Sequence, residues 1–179
     1  MNAVCHTVKV KETNRGGRLY SAIHTAPLQN GSIVFLGGLV AGETEIRQAL
    51  VPSTQTIADQ APMLVMCPEM IYDQSRMSSQ ALGNFINPAN KAFPVIPLTA
   101  FDEIEVSKEA FEGTPSVGKY VKLKDGSTKL EISTTKPDAG VLYGKITSSR
   151  KSSMPTVLGG SGALIPSIYD LYNVEFIAL

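Results

Sequence analysis

Residues 120–133 read Tyr-Val-Lys-Leu-Lys-Asp-Gly-Ser-Thr-Lys-Leu-Glu-Ile-Ser. Val121 and Leu123 alternate with Lys122 and Lys124, and after the break Leu130 and Ile132 alternate with Lys129 and Glu131. Successive side chains of a strand point to opposite faces, so each half carries one apolar and one charged face. Asp125-Gly126 between the halves tolerates the positive φ that a reversal needs. The stretch predicts a β-hairpin with one buried face, and its period of two sets the expectation for its surroundings.

Toward the C-terminus, VLYGKIT (141–147) and YNVEFIAL (172–179) read as two more strands, the second with Tyr172, Val174 and Phe176 on one side. MPTVLGGSGALIPS (154–167) reads as a loop of small residues between them. Toward the N-terminus, Phe101 to Ser107 places Phe101 and Ile104 to Val106 among carboxylates, as a strand with Glu103 and Glu105 on a wet face. FPVIPL (93–98) carries two prolines, which cannot donate to a ladder and predict an edge position. PMLVMCPEMIY (62–72) reads as a buried strand limited by Pro68. SIVFLGGLV (32–40) is a strand run broken at Gly37-Gly38 by a turn or bulge. Ile46, Ala49 and Leu50 at helical spacing predict a short helix over Glu43 to Val51, stopped by Pro52, and Gln74 to Gly83 reads as a second short helix. The expected fold is mainly β: an antiparallel barrel or sandwich with one or two short helices and an extended N-terminal arm.

Residues 1–30 hold Lys9, Lys11, Arg15 and Arg18 against Glu12 alone, a net of +3. Val8 and Val10 alternate with Lys9 and Lys11, so this segment is either an extended arm that pairs with a partner or an ordinary edge strand. Read as an arm, it can be removed without unfolding the rest. Residues 31–179 form the remaining single β-rich domain.

Composition narrows function. With 179 residues, 16 Lys+Arg against 16 Asp+Glu, 18% charged and 43% hydrophobic residues, the chain can bury roughly 70% of its unfolded surface without disulfides or metal. Zero net charge and a pI near 6.7 create no field that draws nucleic acid or anionic lipid. Residues 114–151 carry a local +5 but only Tyr120 and Tyr143 as stacking platforms, so no nucleic-acid partner is expected. Apolar runs are far shorter than the ~20 residues of a bilayer span, and no membrane partner is expected. Cys5 and Cys67 suit two thiols in a reducing compartment. Asn30-Gly31-Ser32 matches a glycosylation acceptor but reads as a turn.

No catalytic or cofactor site is expected. His6 and His24 stand without a G-x-S-x-G serine, Gly159-Gly160-Ser161-Gly162 has the wrong spacing, and no metal-ligand spacing or phosphate loop occurs. Asp102, Glu103, Glu105, Glu109 and Glu112, a net of −4 with Lys108, could hold a hard cation or act as an acid/base pair, but their alternation reads as a solvated face. Acidic 102–112 and basic 119–151 would let copies of the chain, or the chain and another protein, meet by complementary patches. The candidate partner contacts are Val8, Lys9, Val10, Lys11, Arg15, Arg18, Lys122 and Lys124.

PEMIYDQSR (68–76), FINPANKAFPVIPLTAFDEIEVSKEAFEG (85–113) and VGKYVKLKDGSTKL (117–130) resemble the auxiliary capsid proteins, of the decoration or cement kind, of tailed bacteriophages. The likeness covers roughly residues 40–132 and departs from the family pattern at Thr99-Ala100, where a Gly-Asp turn is typical. It implies a non-enzymatic virion protein, made in the host cytoplasm, that binds the major capsid protein lattice in many copies and strengthens it against internal DNA pressure. A phage tail or head-to-tail connector protein, also β-rich and uncharged overall, is the alternative reading within virion structure. A small-ligand or carbohydrate-binding β-barrel, with Tyr20, Tyr72, Tyr143, Tyr169 and Tyr172 as contacts, is the reading of a different class.

Overall fold

The computed structural model describes residues 1–11, 18–68, 82–137, 141–157 and 164–177. The fold is mainly β, with a closed barrel beside a seven-stranded sheet. The barrel comprises β2 (Tyr20–Ile23), β3 (Ile33–Leu39), β4 (Ile46–Leu50), β5 (Met63–Val65) and β6 (Ala92–Pro97), closed in the order β2-β4-β3-β5-β6. The sheet comprises β1 (Cys5–Lys9), β7 (Glu103–Ser107), β8 (Phe111–Glu112), β9 (Tyr120–Lys122), β10 (Leu130–Ser133), β11 (Tyr143–Val157) and β12 (Leu164–Ile177). Its order is β1-β7-β12-β11-β9-β10-β8. The first residues thus form an edge strand.

One core spans both sheets. Ile33, Phe35, Leu64 and Ile96 of the barrel cluster with Ile104, Val106, Val121, Leu130, Ile146, Val174 and Phe176 of the larger sheet, each at most 6% exposed. A second cluster, with Ala22, Val34, Val65, Phe93 and Val95, fills the barrel. Tyr120 meets Tyr143, and Phe111 meets Tyr172, edge to face at about 6 Å.

The expected hairpin is present as β9 and β10, with Val121, Leu123 and Leu130 buried. Its pairing differs from that of a two-residue Asp-Gly turn, which would set Lys122 against Lys129. Instead Lys122 faces Glu131 and Val121 faces Ile132, and the longer loop replaces a like-charge pair by an ion pair at 3.0 Å. The slip is by two residues, so every side chain keeps its face. Asn30 is fully buried in a turn ahead of Gly31 (φ +80°), where its amide bonds the Cys67 backbone, as expected for a turn rather than a glycan acceptor. Cys5 is buried, Cys67 half-buried, and no disulfide joins them.

Several expectations are corrected. Ile46–Leu50 is a strand, because pairing with β2 and β3 overrides three apolar residues at helical spacing. The short helix α1 instead lies beyond Pro52, at Thr54–Asp59, started by a Ser53–Thr56 capping box. The second expected helix falls largely on residues outside those described. β6 is not an edge: it changes partner at Val95, so Pro94 faces only β2 and Pro97 only β5, and each missing donor falls where one neighbour is lacking. β3 runs through Gly37-Gly38 with an irregular register, as a bulge. Val8 and Val10 do not share a face, since a register shift at Val8 leaves it 49% exposed while Val10 is 1% exposed. Glu105 is not on a wet face but 8% exposed. The small-residue segment is mostly strand, because β11 and β12 stay paired to Val157↔Leu164.

Candidate interaction surfaces

The acidic run does not converge. Asp102 accepts from the backbone N–H groups of Lys11 and Thr99 and from the Thr99 hydroxyl, Glu103 pairs with Lys9, and Glu105 with Arg150. Glu109 accepts from Ser107, and Glu112 from Lys124 and Ser127. Each carboxylate is tied to a different neighbour, and among the described residues no group of three potential metal ligands forms. Hydrogen bonds from Lys124 and then Ser127 hold the Glu112 carboxyl below its ordinary range, and that from Lys122 does the same for Glu131. Reciprocally, Glu103, Glu112 and Glu105 raise Lys9, Lys124 and Arg150.

The structure separates the residues picked from sequence as partner contacts. Val8, Lys9, Lys11 and Arg18 are exposed, whereas Val10 is in the core and presents no surface; Arg15 lies outside the described residues. Lys122 and Lys124 are held by Glu131 and Glu112 near the opposite edge of the sheet from β1. Tyr143 and Tyr169 are buried and Tyr20 and Tyr172 half-buried; Tyr72 lies outside the described residues. None of the tyrosines lines any of three open cavities among the described residues.

Two surfaces were not foreseen. The first is the β11–β12 ribbon. β7 pairs with Leu171–Glu175 and β9 with Tyr143–Lys145, while among the described residues Lys151–Val157 and Leu164–Asp170 pair only with each other. Seven residue pairs, roughly 23 Å, therefore extend past the sheet with outer N–H and C=O groups outside any ladder among the described residues. Thr147 to Lys151 and Ile168 are exposed, and Tyr169 anchors the base by accepting the Gly83 N–H at 3.1 Å.

The second surface is the Thr99–Asp102 turn between β6 and β7. Phe101 is 74% exposed and sits at φ +68°, a conformation that a bulky side chain avoids. Its N–H donates to the Phe176 carbonyl at 2.7 Å, the Phe176 N–H donates to the Asp102 carbonyl at 2.9 Å, and the buried Asp102 carboxylate clamps both ends of the turn. Lys9 and Lys11 line the hollow beside the ring. The hydrophobic alternation of 101–107 hid this residue, because a turn and a strand start are indistinguishable in that pattern.

No family model matches the chain, and no curated protein or solved structure matches it either. Among the described residues, no helix is long and apolar enough to cross a membrane.

Proposed function

We propose that the chain is a non-enzymatic structural protein of a bacteriophage virion that binds the assembled capsid lattice and stabilises it. The observation that carries this reading is the ribbon, a two-stranded arm of about 23 Å whose outer edges pair with no other described strand. Such an edge binds a neighbouring chain by strand addition, gaining main-chain hydrogen bonds that demand little of either sequence. A contact of this kind is modest singly. Repeated over a symmetric shell, it adds at every copy to the work of separating capsomers. The resemblance of residues 68–130 to decoration proteins supports the same reading, as does the zero net charge of the chain.

The test is co-sedimentation of the full chain with expanded shells that lack it. Saturable binding is expected. A variant in which Met154–Ser167 is replaced by Asn-Gly keeps the hairpin closed from Ser153 to Ile168 and retains Tyr169 and Leu171 in their buried sites. It should fold like the parent and lose most of the binding. Binding that is absent in the parent, or equal in both proteins, contradicts the proposal.

A further inference from the structure

A phenylalanine at φ +68° contributes strain, and at 74% exposure it contributes little burial. Asparagine or glycine would relieve the backbone at no loss to the core. Strain held in place by a buried, fully engaged carboxylate marks a side chain that is displayed for contact. An exposed aromatic ring beside two lysines has the composition of an interface anchor.

The same chain carries a matching socket. An open hollow of about 490 Å³ is lined by apolar Ile23, Val40, Ala49, Leu50 and Val51 and by polar His24, Thr25, Gln48 and Asn90. That volume is within the range of pockets that enclose an organic group. Beyond Val40 the exposed loop 41–45 carries Glu43 and Glu45. Arg47 at this end donates to the Gly37 carbonyl at 3.3 Å, and the exposed Lys91 follows the lining residue Asn90. The acidic loop is the part of the rim that suits Lys11, since Lys9 is already paired with Glu103 at 2.9 Å.

Knob and socket cannot meet within one molecule. Ile23 pairs with Ala92 at the start of β6, next to the socket, whereas Phe101 follows Pro97 at its end, with roughly 20 Å of strand between. We infer that Phe101 of one copy inserts into the barrel hollow of a second copy, with Lys11 meeting Glu43 and Glu45. Two different patches at opposite ends make a heterologous contact, which propagates instead of closing as a two-fold dimer. This inference does not rest on shell binding and is tested on the free protein.

Sedimentation velocity of the full chain over a concentration series should show a mean mass that rises past the dimer. F101N should remain monomeric while its Tm rises by about 2–4 °C, since the strain is removed. Q48W, or V51E should the tryptophan disturb β4, should block the socket and also remain monomeric with a parental Tm. An equimolar mixture of F101N and the socket variant keeps one intact knob and one intact socket, so it should form a one-to-one pair that grows no further. A parent that stays monomeric throughout, an F101N that associates like the parent, or variants that do not pair would each overturn the inference. A monomeric parent whose capture by shells requires Phe101 would overturn it too, and would assign the knob to a different protein.

Discussion

Arg150 lays its guanidinium flat against Glu105, with Nε and one terminal nitrogen each 2.6 Å from a carboxylate oxygen. Glu105 is on β7 and Arg150 on β11, so the pair reaches across β12 and ties the base of the ribbon to the middle of the sheet. Glu105 is 8% exposed, and Arg150 covers it from the solvent side. Removing the guanidinium leaves a carboxylate with little water to replace its two bonds. R150A is expected to lower the urea midpoint, whereas the double variant E105L/R150M, which removes both charges, should stay closer to the parent.

Gly144 separates close packing from mere strand membership. A Cβ there would lie 2.6 Å from Val174 Cγ1 and 2.8 Å from Val121 Cγ2, both in the core. G144A should destabilise by about 1–3 kcal/mol. Gly38, with nothing within 4 Å of the same atom, should accept alanine within about 0.5 kcal/mol. Thermal unfolding of the two variants side by side checks the packing of β9, β11 and β12.

Acid should loosen the β8–β9–β10 edge. Glu112 and Glu131 titrate in the folded chain below their ordinary value of 4.5, so the unfolded chain binds protons first as pH falls. Their stabilisation is present above pH 4.5 and is lost as pH drops through the lower folded values. Both pairs are partly exposed, so the effect is under about 1 kcal/mol and weakens with salt. The stability-versus-pH curve of K124M between about pH 5 and 3 should be flatter than that of the parent.

Deleting residues 1–10 should lower stability by several kcal/mol. Ala3, Val4, Cys5 and Val10 are each at most 2% exposed, and burying a valine contributes about 2 kcal/mol. The expectation that an arm could be removed harmlessly followed from its charges, and the core contacts reverse it. Calorimetry of the truncated chain decides the matter.

The β class was legible because alternation survives any even slip in register, as Val121, Leu123 and Leu130 illustrate. Partner choice was not. Ile46, Ala49 and Leu50 fit helix and strand alike, and only the barrel neighbours Arg47↔Ala22 and Leu50↔Phe35 decide between them. Pro94 and Pro97 misled because a barrel strand can change partner midway, a freedom that local sequence does not display. The ribbon was hidden by Ser and Pro at positions where two strands pair with no third described strand beside them. Glu105 looked solvated because its cover, Arg150, lies 45 residues away. Of the candidate contact residues, charge picked out Lys9 and Lys11 beside Phe101, but the strained turn that displays the ring needs the fold to be seen.

Lattice stabilisation is the central claim, and its most direct measure is the temperature at which DNA-filled shells lacking this protein release their DNA. Adding the full chain should raise that temperature and then plateau at a fixed number of copies per shell, while the variant with Met154–Ser167 replaced by Asn-Gly should leave it unchanged. A release temperature that the full chain does not move at any concentration would contradict the account.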